Sequence, residues 1–471
     1  MEESNNKIAL KMALAVVLSI CCALWLQWEK PYWSAMAALV MGMSESIGHA
    51  ITKGRHRLLG TGVGIIAGLF LIVFLSQERF MFLAILCVIL AICVFMTSDP
   101  KYGYIYSTTF TVCIIIASVG GFDNQVTFNV LLLRLQETLL GIVVYTLVFR
   151  IIWPRNTETL FLELFTKTQN NLVTSFEEAN RHLDAIMADG VDHHGVRYKD
   201  HSSSIRKLYE YLNMPFHDRY QLHRRDKQWR EHVKAMAVAQ HCLAQIHANW
   251  QNPQLILRHR MLLKDVIDFL QEPTQHADKG VPCPRYIQQA YDELPLEAKA
   301  DFLPPKNYRL DAIKSLKALC MFITALMLWI YVPIPDSYMF PLNAGVYAGL
   351  LAPMPDRMLK HWMLGYFGFG VIFIVQYVLI MPAMTEVWQL AAFYFINTYM
   401  LWRVMSHPRL VVHRIIGGNI MLLMTAGALN NTPTFDVESS IIMLIYIMLS
   451  FVIVQFYTHL FSGIVAKLSA E

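Results

Sequence analysis

Apolar residues run in long blocks through both ends of this 471-residue chain and break off in its middle. A helix needs ~20 mostly apolar residues to cross the hydrocarbon core of a bilayer. Six such runs fill the first third: Ile8–Trp28, Tyr32–Ala50, Leu58–Ser76, Phe80–Thr97, Tyr102–Val119 and Val126–Trp153. Six more fill the last third: Ala312–Val332, Met339–Ala352, Trp362–Met381, Val387–Met405, Leu410–Leu429 and Ser439–Phe461. The eighth run is short for a straight span and predicts a tilted or broken helix. Residues 156–307 hold no span. There Leu160, Phe161, Leu164, Phe165, Leu172 and Phe176 recur at helical spacing. Ile205–Tyr211 and Val233–Ile246 predict further amphipathic helices, with a loop over Ala188–Ser204 and a break over Glu272–Pro284. The pattern predicts an all-α polytopic membrane protein. It has a six-helix transmembrane block at 1–155, an inserted helical domain at 156–307, and a second block of about six helices at 308–471.

Charge then sets the orientation. With the N-terminus inside, the inner segments of the first block carry Lys7, Lys11, Lys53, Arg55, Arg57, Lys101, Arg150 and Arg155, and the outer loops only Lys30 and Arg79. The outer loops of the second block carry no Lys or Arg. Positive loops stay in the cytoplasm, so both termini and the middle domain are expected there. Lys7 and Lys11 before an apolar run resemble a signal peptide, but no small-residue cleavage site follows, and a retained first helix is expected.

The blocks echo one another. Trp25 precedes Gly60 by 35 residues, and Trp329 precedes Gly365 by 36. Asp99-Pro100 opens the fifth helix as His407-Pro408 opens the eleventh. Thr127-Phe128-Asn129-Val130 matches Thr434-Phe435-Asp436-Val437. An even number of helices gives both halves one orientation, which predicts two parallel repeats about an axis along the membrane normal.

Composition removes several classes. The chain is 55% hydrophobic and 16% charged, with a net charge of +4; soluble domains carry about 25% charged residues. So weak a charge does not point to nucleic acid. Six of eight cysteines lie in apolar runs, with no CxxC or zinc spacing. Eleven histidines fall in the middle domain, including His193-His194, without ligand spacing; neither metal nor cofactor is expected. Arg224-Arg225, Lys227 and Arg230 form a basic stretch that suits either solvent or anionic lipid headgroups. No GxSxG, HExxH or Walker loop occurs, so an enzyme is not expected.

Ionisable residues inside spans are costly and mark function by default. Arg134 and Glu137 lie three apart on the sixth helix and share a face. They read as an intrahelical ion pair, or as a fixed cation for a substrate carboxylate beside a carboxylate that releases it on protonation. A guanidinium fork suits a carboxylate. Glu45 and His49, four apart on the second helix, read as a proton relay or as a polar helix end. Asn343, Asn397, Asn419 and Gln376 are uncharged polar residues of the second block, and such residues are commonly interhelical glue. Asn343, beside Pro341 and Gly345 in the short eighth span, is the best placed for a ligand. Gly60, Gly64 and Gly68 read as a close-packing face.

The segment 11–68 carries a family resemblance: a lysine-led first helix, Pro31-Tyr32-Trp33, a basic loop (Lys53, Arg55, His56, Arg57) and Leu58-Leu59-Gly60-Thr61-Gly62-Val63-Gly64. With two membrane blocks around a cytoplasmic insert, the chain resembles the fusaric acid resistance family, which includes the aromatic acid exporters. The second block departs from the pattern, with Tyr338-Met339-Phe340-Pro341 and Leu364-Gly365-Tyr366-Phe367-Gly368 at the matching places. The resemblance implies the bacterial inner membrane and efflux of small, often aromatic, carboxylates by proton antiport. It also implies a periplasmic adaptor in some members. The expected partners are thus a small organic anion and membrane lipid. A homo-oligomer is neither required nor excluded. Two other readings stand beside this one: a passive anion channel of a related fold, with Arg134 lining its pore, and a non-transporting assembly protein.

Overall fold

The computed structural model describes residues 2–43, 47–99, 101–120, 124–154, 157–189, 199–213, 222, 224–249, 253–271, 283–295, 298–299, 307–334, 338–354, 356–407 and 410–470. Among them the regular structure is helical throughout. The first block holds α1 (Glu2–Trp25), α2 (Tyr32–Met41), α3 (Ile47–Leu75), α4 (Arg79–Met96), α5 (Gly103–Ile115, prolonged by a π turn at Ile116–Gly120) and α6 (Asn124–Ile151). The middle holds α7 (Thr157–Asp189), α8 (Ser202–Leu212), α9 (Asp226–Ala248), α10 (Pro253–Gln271) and α11 (Arg285–Asp292). The last third holds α12 (Tyr308–Tyr331), α13 (Met339–Leu351), α14 (Asp356–Leu379), α15 (Val387–Val404), α16 (Val411–Met424) and α17 (Val437–Ala470).

These helices gather into two compact units. One contains Met1–Glu45, Ala50–Pro154 and Lys306–Glu471; the other contains Ser46–His49 and Arg155–Pro305. Both apolar ends of the chain therefore share one unit and one core.

Twelve apolar runs were expected, the eighth of them short. Among the described residues seven helices are long and apolar enough to cross a membrane: α1, α3, α4, α6, α12, α14 and α17. The helices α2, α5, α13 and α16 are apolar but short; the 10 residues of α2 reach only about 15 Å at ~1.5 Å per residue. α15 has 18 residues but carries Gln389, Asn397 and Arg403. The expected helix Tyr32–Ala50 is two pieces. α2 stops at Met41, with the Gly42 N–H closing its last turn, and the chain resumes a helix at Ile47. His49 therefore stands on α3, and the expected basic loop of Lys53, Arg55, His56 and Arg57 is helical.

Short helices are tolerable because they lie inside. Of α2, Trp33, Ser34, Ala35, Ala37, Ala38, Leu39 and Met41 are buried; α13 buries Phe340, Pro341, Asn343, Ala344, Gly345, Tyr347, Ala348 and Leu351. Helix ends at membrane depth must be shielded from lipid by protein, and the long helices supply that shield. α2 packs on α16, and α5 packs on α13. Small residues permit these approaches: a Cβ at Gly418 would meet Leu39 at 2.9 Å, and one at Gly349 would meet Phe110 at 3.2 Å.

The glycine face of α3 is buried against α5. A Cβ at Gly60 would lie 2.7 Å from the Ile105 carbonyl oxygen, and one at Gly64 2.6 Å from that of Thr109. Only hydrogen fits such backbone-to-backbone contact. The Thr109 hydroxyl donates to the Gly60 carbonyl at 3.3 Å. Gly62, on the other side of α3, meets nothing.

The second unit is built around α9, which touches α7, α8, α10 and α11. Its core sets Trp229 edge-on to Phe161 and Phe165, with ring centroids 5.3 and 5.2 Å away. Arg230 donates to Asp226 at 2.7 Å, to the Asn213 side chain at 3.1 Å and to the Leu212 carbonyl at 3.0 Å. That residue of the basic stretch thus staples α8 to α9. The His193-His194 pair lies outside the described residues, as does most of the Glu272–Pro284 break.

Candidate functional site

The residues that matter lie where α6 crosses the start of α2. Arg134, Glu137 and Gly141 fall at i, i+3 and i+7 of α6, on one face. That face meets α2: a Cβ at Gly141 would lie 2.7 Å from the Ala37 methyl. The absent side chain lets the two helices close together one turn beyond Glu137. The start of α2 is pinned by the Ser34 hydroxyl, which donates to the Pro31 carbonyl at 2.8 Å and to the Ser19 carbonyl at 3.1 Å. Trp33, the next residue back, is buried in an apolar cluster with Ile115 and Val130, against which Leu342 of α13 packs. The site thus draws on α2, α6, the end of α5 and α13.

Trp33 is the platform. The Arg134 guanidinium lies over its ring, 2.8 Å from the centroid, and the Lys30 ammonium lies 4.9 Å from the same centroid. A desolvated cation on an indole face gains about 2 kcal/mol, which helps Arg134 stay inside. Burial, and then the charge of Arg134, hold the Lys30 amine below its ordinary range. Tyr32 stands within electrostatic reach of Arg134, Glu137 and Tyr338.

Glu137 is the anomaly. Its side chain is 0% exposed, and neither carboxylate oxygen has a hydrogen-bond partner. Arg134, one turn away, acts on it through space without an ion-pair contact, and the Arg134 Nε is also buried without a partner. The intrahelical ion pair expected as the ordinary explanation is not formed. A buried ionised carboxylate without partners costs several kcal/mol, so this arrangement stores the capacity to take up a proton or a counter-ion.

The remaining candidates separate. Asn343 donates to the Met339 carbonyl one turn back at 2.8 Å and touches Met443 Sδ at 3.3 Å. Asn397 donates to the Phe393 carbonyl at 3.0 Å in the same manner. Both amides are engaged within their own helices. Asn419 is half-buried on α16, and the Gln376 Oε1 is buried on α14 without a partner. Glu45 lies outside the described residues, so its pairing with His49 does too. Sequence reasoning missed Trp33 and Lys30 as parts of the site. The signal was available: a cation inside a span needs an aromatic face or an anion, and Pro31-Tyr32-Trp33 opens the next inward helix.

Comparison with known proteins decides the family. The profile of the Fusaric acid resistance protein family matches residues 7–208 and 171–470. The chain belongs to that family. Relatives include the p-hydroxybenzoic acid efflux pump subunit AaeB of Musicola paradisiaca, 26% identical over 160 residues, or 32% of this chain and 25% of that one. The protein of the same name from Pectobacterium atrosepticum is 29% identical over 161 residues, 32% of this chain and 24% of its own. That from Edwardsiella tarda is 25% identical over 209 residues, 42% and 32% respectively. The aligned region thus spans about a quarter to a third of these relatives. With seven helices among the described residues fit to span, this member of the family is a multi-pass membrane protein.

Proposed function

We propose that the protein is an inner-membrane secondary transporter that exports small organic carboxylates, aromatic ones foremost, with proton exchange at Glu137 linked to substrate binding at Arg134. The observation that carries this reading is the buried, unpartnered Glu137 carboxylate one turn from Arg134. The names of the relatives, each a p-hydroxybenzoic acid efflux pump subunit, support the substrate class and a partner subunit. We read 1–155 and 308–471 as the two membrane blocks and 156–307 as a cytoplasmic insert, with both termini inside.

Paired packing supports two parallel repeats. α1·α2, α1·α6 and α2·α6 have counterparts in α12·α13, α12·α17 and α13·α17. Across the halves, α1·α15 is answered by α4·α12, and α2·α16 by α5·α13. Reciprocal contacts of this kind are what a two-fold axis generates. Rocking of the halves about that axis would alternate access to the site.

Export driven by an inward proton gradient requires that substrate and proton exchange, each binding in the other's absence. On this reading the substrate is held at Arg134 while Glu137 is ionised and is released when Glu137 takes up a proton. The test is p-hydroxybenzoate movement in proteoliposomes under imposed pH gradients. Arg134→Ala should reduce the rate at least tenfold, since an ion-pair hydrogen bond is worth about 1.5–3 kcal/mol. A rate equal to wild type would remove Arg134 from the site. Currents that reverse at the anion Nernst potential and ignore pH would replace the transporter by a passive channel.

A further inference from the structure

The expected positive-inside residues at the start of α3 divide into two kinds. Arg55 is exposed, as an anchor at a membrane surface should be. Lys53 and Arg57, four residues apart on the same helix, are half-buried and turn the other way. Their face continues the glycine face, since 53, 57, 60, 64 and 68 succeed one another at helical spacing, and that face is packed on α5. Lys53 donates to the Val40 carbonyl at 3.0 Å, where α2 ends, and its ammonium lies 5.4 Å from the Tyr104 ring centroid. The Arg57 Nη1 donates to the Tyr104 hydroxyl at 3.0 Å. The Arg57 Nε is buried and bonded to nothing.

Two like charges one turn apart repel, and among the described residues no carboxylate lies within ion-pair distance of either. A cation pair that faces inward, with a buried donor left over, lacks an anion. Arg57 is also among the charges that act on Arg134. A Cβ at Gly54 would meet Ile142 of α6 at 3.0 Å, which puts α6 against the start of α3 between them.

We propose that Lys53, Arg57 and the Tyr104 hydroxyl form a second oxyanion-binding station, at the end of the membrane unit where α3 and α5 begin, which receives a substrate carboxylate before Arg134 does. The station deepens the transport reading and rests on it for its role, but its ligand binding can be measured without transport. The shared chemistry is a carboxylate or phosphate oxygen held by two cations and a hydroxyl. The carboxylate-bearing solute is favoured over a lipid headgroup because the pair turns away from the exposed face that Arg55 occupies.

The experiment uses the full chain in nanodiscs and p-hydroxybenzoate as the probe, by equilibrium dialysis. Arg134→Ala should keep measurable binding, because the second station remains. Adding Arg57→Gln should weaken that binding by about tenfold or more. Arg57→Lys should keep it within about threefold. Should Arg57→Gln fail to fold, Lys53→Gln in the same background gives the same reading. Binding that vanishes in Arg134→Ala alone, or that is indifferent to both Arg57→Gln and Lys53→Gln, overturns the proposal. So does a probe affinity that drops tenfold when phosphatidylglycerol replaces phosphatidylcholine and is insensitive to Arg57→Gln in phosphatidylcholine alone; the cluster is then a headgroup contact. A wild-type chain that binds the probe at both stations but moves none of it defeats the transport reading and leaves the station standing.

Discussion

The first and last thirds of the chain differ in which buried polar atoms go without a hydrogen-bond partner. In the first, Arg134, Glu137 and Arg57 leave such atoms on charged groups. In the last, Asn343 and Asn397 bond to carbonyls one turn back in their own helices, and the atoms left over lie on uncharged side chains such as Gln376, Thr398, Trp362 and Trp402. At the places set by the Thr-Phe-Asn-Val and Thr-Phe-Asp-Val register, α17 carries Ile441 and Leu444 where α6 carries Arg134 and Glu137. Leu444 is buried and fills the notch at Gly370, 2.6 Å from where a Cβ would stand. On the transport reading, the first half binds the substrate and the second supports it by packing.

Placing the charge in the wrong half tests this most severely. Leu444→Glu should cost roughly 3 kcal/mol or more, since its carboxylate would lack both the Trp33-bound cation and a partner of its own. Thermal unfolding in detergent should show it as a large fall in midpoint. A variant as stable as wild type would mean that the second half also accommodates charge.

Much of this was legible in the sequence, and the gaps have physical causes. The long apolar runs gave the seven long helices, and charges within an apolar run flagged Arg134 and Glu137. The break between α2 and α3 escaped notice because Met41, Gly42 and Met43 keep the hydropathy of the run high while the helix turns. The helical state of the basic segment escaped because Lys53 and Arg57 look like loop charges until the glycine face of α3 shows which way they turn. Trp33 was hidden by distance along the chain, since only folding lays α6 on α2.

The middle unit sharpens the comparison in another way, because it titrates by itself. His259 packs near His241, with ring centroids 6.3 Å apart. Burial, then His241 and Arg258, lower its basicity, and its Nδ1 is buried without a partner. The folded state thus binds a proton less readily than the unfolded one. Stability is full above the ordinary histidine pKa of about 6.5 and is lost as pH falls through the lower folded value. Hydrogen exchange in α9 and α10 should accelerate between pH 7 and 5 after correction for intrinsic rates, and less so in His259→Asn. Equal acceleration in both would exonerate this histidine. The smallest effects belong to the amides: Asn343→Leu and Asn397→Leu should change stability by about 1 kcal/mol or less and transport by less than about twofold. A tenfold loss of transport in either would return that amide to the binding site.

The central claim is the linkage between a proton on Glu137 and an anion at Arg134. Its most direct test is the affinity for p-hydroxybenzoate, measured between pH 5.5 and 8, in wild type and in Glu137→Gln. The wild-type affinity should weaken as pH falls, and the glutamine variant, neutral at every pH, should bind weakly throughout. A wild-type affinity that tightens as pH falls, or a variant that keeps the wild-type pH dependence, would contradict the account.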